Sequence, residues 1–224
     1  MCEFASSRWY TISEGGKLKD YKEIFERLYN NYGPQNWWPA DTKFEIAVGA
    51  ILTQNTMWRN VVLSIKNLEN AGLLEPYRMY ITPIEKLSYL IKPSGFPKLK
   101  AMRLKNFLAF FSNFSFDFDK LEKFETRDLY GMLLTVNGIG HETASSILLY
   151  IFNRPIFVYD AYFKRIVSRL GIDSTEIEKS FNDAKVLGEF HALIVQHSKM
   201  HCRSKPICRM CPLIDICEYG EQNV

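Results

Sequence analysis

The sequence predicts an all-α fold, and three observations carry the prediction. Apolar residues recur at three- and four-residue spacing through nine segments, each bounded by Gly, Pro, Asn or Asp. The one alternating stretch, Phe114-Ser115-Phe116-Asp117-Phe118, is isolated, and a lone strand has nothing to pair with, so it reads as a linker with anchoring aromatics. Apolar runs such as Ile46 to Leu52 fall far short of the ~18 residues a membrane-spanning helix needs. A soluble chain with no membrane partner is therefore expected.

The first helix runs from Leu18 through Tyr21, Phe25, Leu28 and Tyr32 and is stopped by Gly33-Pro34. The same spacing predicts helices over Phe44–Thr53, Arg59–Asn70, Pro83–Ile91, Leu99–Ser112 and Arg127–Leu134. It continues over Glu142–Phe152, Ala161–Leu170 and Lys185–Met200, for nine or ten helices in all. With 224 residues, 47% of them apolar and 14% aromatic, the chain can bury about 70% of its extended surface as one domain or two closely apposed ones. No low-complexity tract or solenoid-period repeat is visible.

The net charge of +3 excludes a supercharged tail or an acidic disordered chain. Charge is nevertheless uneven. Lys92, Lys98, Lys100, Arg103 and Lys105 fall in one acid-free stretch, and Lys199, Arg203, Lys205 and Arg209 in another. Each suits either phosphate contacts or a solvated helix face. The N-terminus lacks a basic stretch followed by an apolar core and a small-residue cleavage site, so an intracellular, cytoplasmic or nucleoid-associated location is expected. Monomer is the default state.

Four of the five cysteines fall in sixteen residues as Cys202-x5-Cys208-x2-Cys211-x5-Cys217. In a reducing compartment such thiols form a soft tetrahedral donor set, suited to zinc or to an iron–sulfur cubane. Cys2 stands apart as a free thiol.

Between two helical patterns, Gly138 and Gly140 flank Ile139. Two glycines let the chain turn sharply, and the N–H groups opening the next helix then face outward, where a phosphate fits. An ordinary helix-to-helix turn has the same spelling. Asp160 follows Glu142 by 18 residues, just before another helix, and by itself reads as an N-cap.

Taken in order, the Gly138-Ile139-Gly140 hairpin, Asp160 and the four-cysteine loop resemble the endonuclease III branch of the helix-hairpin-helix DNA glycosylase superfamily, over nearly the whole chain. The resemblance implies two helical subdomains with a DNA-binding cleft between them. One is a six-helix barrel with the hairpin (residues 35–153), and the other, discontinuous (1–34 and 154–224), carries the cysteine loop. It also implies a [4Fe-4S] cluster, rather than zinc, on Cys202, Cys208, Cys211 and Cys217. The loop has five residues after the first cysteine where the commonest form has six. Ile51-Leu52-Thr53-Gln54-Asn55-Thr56 resembles the segment whose glutamine fills the hole left by an extruded nucleotide, which is Gln54 here. Residues 92–101 resemble the segment carrying the wedge, here Phe96. DNA contacts are further expected from Gly138, Ile139, Gly140, His141 and Thr143.

One departure bears on chemistry. Family members with lyase activity carry a hairpin lysine that forms a Schiff base with the sugar, and Glu142 stands at that position. A carboxylate forms no imine, so a monofunctional enzyme is expected. Glu142 also favours a cationic base, such as a purine methylated at N3 or N7. Trp37, Trp38 and Phe44 supply aromatic faces whose cation–π attraction is worth roughly 0.5–2 kcal/mol each. Trp37-Trp38-Pro39, the following Phe and Glu142 resemble the third class of bacterial 3-methyladenine DNA glycosylases.

The resulting expectation is a base excision repair enzyme that binds double-stranded DNA containing damaged bases, flips an alkylated purine and hydrolyses its N-glycosidic bond. Asp160 is the expected catalytic residue, stabilising oxocarbenium charge or orienting water. Rival readings are an endonuclease III-like activity on oxidised pyrimidines or mispaired thymine and uracil, a non-catalytic damaged-DNA-binding protein, and a redox-sensing iron–sulfur protein.

Overall fold

Helix boundaries follow local chemistry. In the computed structural model, which describes residues 20–223, α1 (Tyr21–Tyr32) starts where the Asp20 side chain accepts from the Lys22 N–H and ends at Gly33. Leu18 and Cys2 lie outside the described residues. Thr42 caps α2 (Lys43–Leu52) by accepting from the Glu45 N–H. The chain continues through α3 (Trp58–Asn70), α4 (Pro76–Ile81), α5 (Ile84–Leu90), α6 (Pro97–Ser112), α7 (Phe118–Glu122) and α8 (Thr126–Leu134). It ends with α9 (His141–Phe152), α10 (Ala161–Leu170), α11 (Ile177–Ser180), α12 (Ala184–Met200) and α13 (Glu218–Gln222).

Among the described residues there is no strand, and the fold class is all-α as predicted. The helix count is higher than expected, because α4, α7, α11 and α13 are four to six residues long, too short to display a period of 3.6. The alternating segment is no strand: the chain turns over 113–116 and enters α7 at Phe118. Ser115 and Phe116 both have φ of 57°, and Phe114, Phe116 and Phe118 pack against a hydrophobic core.

Two hydrophobic clusters organise the molecule. The first gathers residues from Phe44 to Phe152, with α2 packed on α3, α6 and α9. The second joins α1, α10 and α12 with Leu213 and Ile216 of the cysteine loop. Helix α9 serves both: Leu148 and Ile151 point into the first cluster and Leu149 into the second. It is accordingly apolar nearly all round. Where α9 meets α12, the end of α2 and the start of α10 come together, and a cavity opens.

Candidate active site

The seam between the two clusters holds an open cavity of about 600 Å³. Its walls come from four places far apart in sequence: Trp37 and Trp38, the segment from Thr53 to Trp58, the first turn of α9 with Glu142 and Thr143, and the start of α10 with Asp160. Helix α12 adds His191, Val195 and Lys199. A neighbouring groove of about 500 Å³ is lined by Gln54, Asn55, Arg103 and the hairpin from Gly138 to Thr143. Gln54, Asn55, Glu142 and Thr143 border both spaces.

Asp160 is an N-cap and a cavity residue at once. Its Oδ1 accepts from the Phe163 N–H at 2.7 Å, which fixes the carboxylate at the head of α10. Oδ2 remains, 3.5 Å from Nε2 of His191. Only 6% of Asp160 is exposed, and that portion faces the cavity lining. Glu142 shares the space. Desolvation pushes its carboxyl above the usual carboxylate range, the charge of Asp160 pushes the same way, and His191 and Lys164 act against them.

Both adjacent tryptophans reach the cavity, because residues 37 and 38 are not helical and need not share one helix face. Their rings meet at 5.7 Å in a T-shaped pair, and Trp58 lies 5.4 Å from Trp37 and 5.2 Å from Trp38. Gly49 permits this. A Cβ there would stand 3.1 Å from the Trp38 indole. The expectation for Phe44 is corrected: it is 5% exposed, belongs to the first core and does not line the cavity. In the first turn of α2 it points at the packed interior, and the third aromatic wall is Trp58. Lys199 places its Nζ 5.6 Å from the centre of the Trp37 ring, with its pKa lowered by desolvation.

The hairpin joins α8 to α9. Gly138 has φ of 98°, and a Cβ there would collide with the Arg103 side chain. Gly140 has an ordinary extended φ of −95° and open space around it, so only one of the two glycines is demanded by the turn. Ile139 is buried at 4% exposure and anchors the hairpin. Gly140 brings no side chain to cap α9, leaving its first N–H groups facing the groove. His141 bonds the Tyr130 hydroxyl through Nδ1 at 2.8 Å. Gln54 is tied to the hairpin, donating to the Gly138 carbonyl at 3.0 Å and to Thr143 Oγ1 at 2.9 Å, while Arg103 donates to its Oε1. Filling a gap in a base stack would require these bonds to open.

Phe96 is 66% exposed and has a left-handed φ of 46° at the head of α6. It lies outside the cavity and the groove. The basic stretch beside it is mostly turned inward. Lys100 is 1% exposed and donates to the carbonyls of Leu52 and Ser94, Lys105 donates to those of Met79 and Tyr80, and Arg103 holds Gln54. Lys92 and Lys98 remain exposed.

Cys202, Cys208, Cys211 and Cys217 are free thiols lining one cavity with Arg169 and His197. Arg169 donates to Cys202 Sγ at 3.2 Å and the Gly220 N–H to Cys217 Sγ at 3.4 Å. Burial pushes the Cys211 thiol up to about 11, with the other three thiols contributing in the same direction. Among the described residues, no three His, Cys, Asp or Glu side chains gather closely enough to hold a single metal ion.

A helical fold with two cores, a glycine hairpin opening on a groove, and a capped aspartate in the adjoining cavity defines a helix-hairpin-helix DNA glycosylase. Residues 48–187 match the model described as HhH-GPD superfamily base excision DNA repair protein, and the chain belongs to that superfamily. It is 44% identical over 213 residues to the Methanocaldococcus jannaschii protein named "Putative DNA repair glycosylase MJ1434", covering 90% of this chain and 97% of that one. Endonuclease III of Sulfolobus acidocaldarius is 28% identical over 81% of this chain and 84% of its own. Among solved structures, H. pylori 3-methyladenine DNA glycosylase (MagIII) bound to 1,N6-ethenoadenine superposes with a TM-score of 0.69 at 30% identity, over 79% of this chain and 96% of that one. An endonuclease III–DNA complex, at 19% identity and TM-score 0.74 over 90% and 95% of the two chains, shares the fold.

No helix among the described residues is long and apolar enough to cross a membrane.

Proposed function

We propose that the chain is a monofunctional DNA glycosylase that excises alkylated purines. The observation that carries this reading is the composition of the 600 Å³ cavity, where Trp37, Trp38 and Trp58 stand beside Asp160 and Glu142. Aromatic faces attract a cationic ring more than a neutral one. Methylation at purine N3 or N7 supplies that charge and also makes the base a better leaving group. The likeness to the H. pylori 3-methyladenine glycosylase at 30% identity supports the same substrate class.

In this reading the groove at the hairpin receives the backbone, with the free N–H groups of α9 on a phosphate. Phe96 wedges the duplex, and Gln54 leaves Thr143 and the hairpin carbonyl to occupy the emptied place. The base enters among the tryptophans. As the N-glycosidic bond lengthens, positive charge develops on the sugar, and Oδ2 of Asp160 stabilises it or orients the attacking water. Glu142 stands where lyases hold their lysine, so hydrolysis ends the reaction.

The four thiols suit a [4Fe-4S] cluster, in which each cysteine takes its own iron and all four need not converge on one point. Cys202, Cys208, Cys211 and Cys217 would be the ligands, with Arg169 and the Gly220 N–H stabilising thiolate charge. Bound there, the cluster would staple the basic loop from Arg203 to Arg209 against DNA. The enzyme would act as a monomer of two subdomains, 35–153 and a discontinuous partner.

The test is a panel of duplexes carrying a methylated purine, an oxidised pyrimidine, or mispaired thymine or uracil, with released bases separated by chromatography and parallel reactions quenched with borohydride. Release of the methylated purine without a trapped adduct is expected. Release of an oxidised pyrimidine alone would overturn the substrate, and a trapped protein–DNA adduct would overturn the monofunctional mechanism.

A further inference from the structure

Nε2 of His191 is buried without a hydrogen-bond partner, 3.5 Å from Oδ2 of Asp160. On the other side of the ring, Nδ1 lies 2.5 Å from the Tyr150 hydroxyl. We propose that His191 is the positioning residue for Asp160, and that Tyr150 sets its tautomer; the inference rests on the glycosylase reading above and deepens it.

The hydrogen-bond inventory supports this order. Oδ1 of Asp160 is committed to the Phe163 N–H, so Oδ2 is the oxygen free to face a sugar. A carboxylate held at one oxygen still swings about that bond. A second donor at Oδ2 stops the swing, and His191 is placed to be that donor. The Tyr150 hydroxyl has two acceptors in reach, the Gly188 carbonyl at 3.3 Å and Nδ1 at 2.5 Å; by donating to the closer one it leaves the proton of the neutral imidazole on Nε2, pointing at Oδ2. The opposite tautomer would turn the Nε2 lone pair toward a carboxylate, which is repulsive. The imidazolium also presents an N–H there. Both acceptable states direct a proton at Asp160.

Charge makes the same demand. Glu142 shares the cavity, where burial and then the charge of Asp160 disfavour its ionised form, with His191 acting against them. Burial, and after it the charges of Asp160 and Glu189, oppose ionisation of Tyr150, which keeps its O–H available as a donor. Lys164 acts on Glu142 and Lys199 lies over Trp37, so neither takes the place of His191. The ring is carried by α12, where ten residues are buried, a rigid support. The 3.5 Å separation is long for a hydrogen bond, and contacts of this kind tighten when substrate fills the site.

The experiment uses the full chain, a duplex with one methylated purine, and single-turnover release of the base. Wild type and Asp160→Asn come first. Release by wild type and its loss in Asp160→Asn uphold the glycosylase reading independently of His191, whereas a wild type that releases nothing overturns both. His191→Leu is expected to lower the rate by roughly 10- to 100-fold, the range seen when a partner that orients a reacting or ligating side chain is lost. His191→Gln, which keeps an N–H near the Nε2 position, is expected to recover most of it. Binding to a duplex containing a non-cleavable abasic analogue should stay at the wild-type level in both. Tyr150→Phe keeps the ring and removes the orienting hydroxyl. It is expected to slow release several-fold and to add nothing in the His191→Leu background. Wild-type rates in His191→Leu, or equal losses in the Leu and Gln variants together with weakened binding, would overturn the proposal.

Discussion

Two helix N-termini open on the same seam and are finished in opposite ways. Helix α9 begins at Gly140, which offers no side chain, so its first N–H groups are left for whatever approaches the groove. Helix α10 begins at Asp160, whose own carboxylate takes one of the corresponding donors, the Phe163 N–H. The same backbone dipole thus serves two ends. An empty terminus recruits a mobile anion, whereas a filled one locks a carboxylate at a fixed place beside the cavity. In the mechanism we propose, capping is what separates a binding terminus from a catalytic one.

That contrast can be broken from either side. The largest effect is expected at the turn that exposes α9. Gly138→Ala forces a side chain into φ of 98° and into Arg103, which should destabilise the fold by about 1–2 kcal/mol in a denaturant titration. It should also loosen Gln54, which bonds the same residue's carbonyl. Gly140→Ser sharpens the comparison by giving α9 a cap of its own. Stability should rise by about a few tenths of a kcal/mol, while affinity for undamaged duplex falls and its salt dependence flattens, because a phosphate site has been filled. The smallest effect is expected at Glu142. Its carboxyl is raised above the ordinary range in the folded state, so the ionised form costs stability once the pH passes the unfolded value. Glu142→Gln removes that cost. Its Tm should match the wild type below the carboxylate range, exceed it increasingly as pH rises through the raised value, and stay higher at neutral pH. Equal Tm values at neutral pH would show that Glu142 is not strained by its surroundings.

Much of this arrangement was legible in the sequence, and the parts that were not share a physical reason. Long helices declare themselves by period, so α10 was found at Ala161–Leu170 without adjustment, while α11 at Ile177–Ser180 completes barely one turn and leaves no pattern. Gly138, Asp160 and the cysteine loop were found because turns, caps and ligand spacings are local. Trp58 and His191 were missed, and Lys199 was read only as part of a basic stretch, because each reaches the cavity by tertiary packing alone. The only available signal was their spacing along α12 for the last two, which are eight residues apart and therefore on one face. Phe44 was misplaced for the converse reason: nearness to Trp37-Trp38 in the chain says nothing about which side of α2 it occupies. The acid-free stretch from Lys92 to Lys105 reads as a surface patch, yet Lys100 spends its charge on two buried carbonyls. Composition cannot report direction.

The most direct measurement is single-turnover release of a methylated purine from duplex DNA by wild type and by Asp160→Asn. Asparagine keeps an oxygen to cap α10 but carries no charge, so folding and DNA binding should persist while excision falls by at least on the order of 100-fold. Excision at the wild-type rate by Asp160→Asn would contradict the account, because the carboxylate held between Phe163 and His191 would then have no part in the chemistry of the cavity it faces.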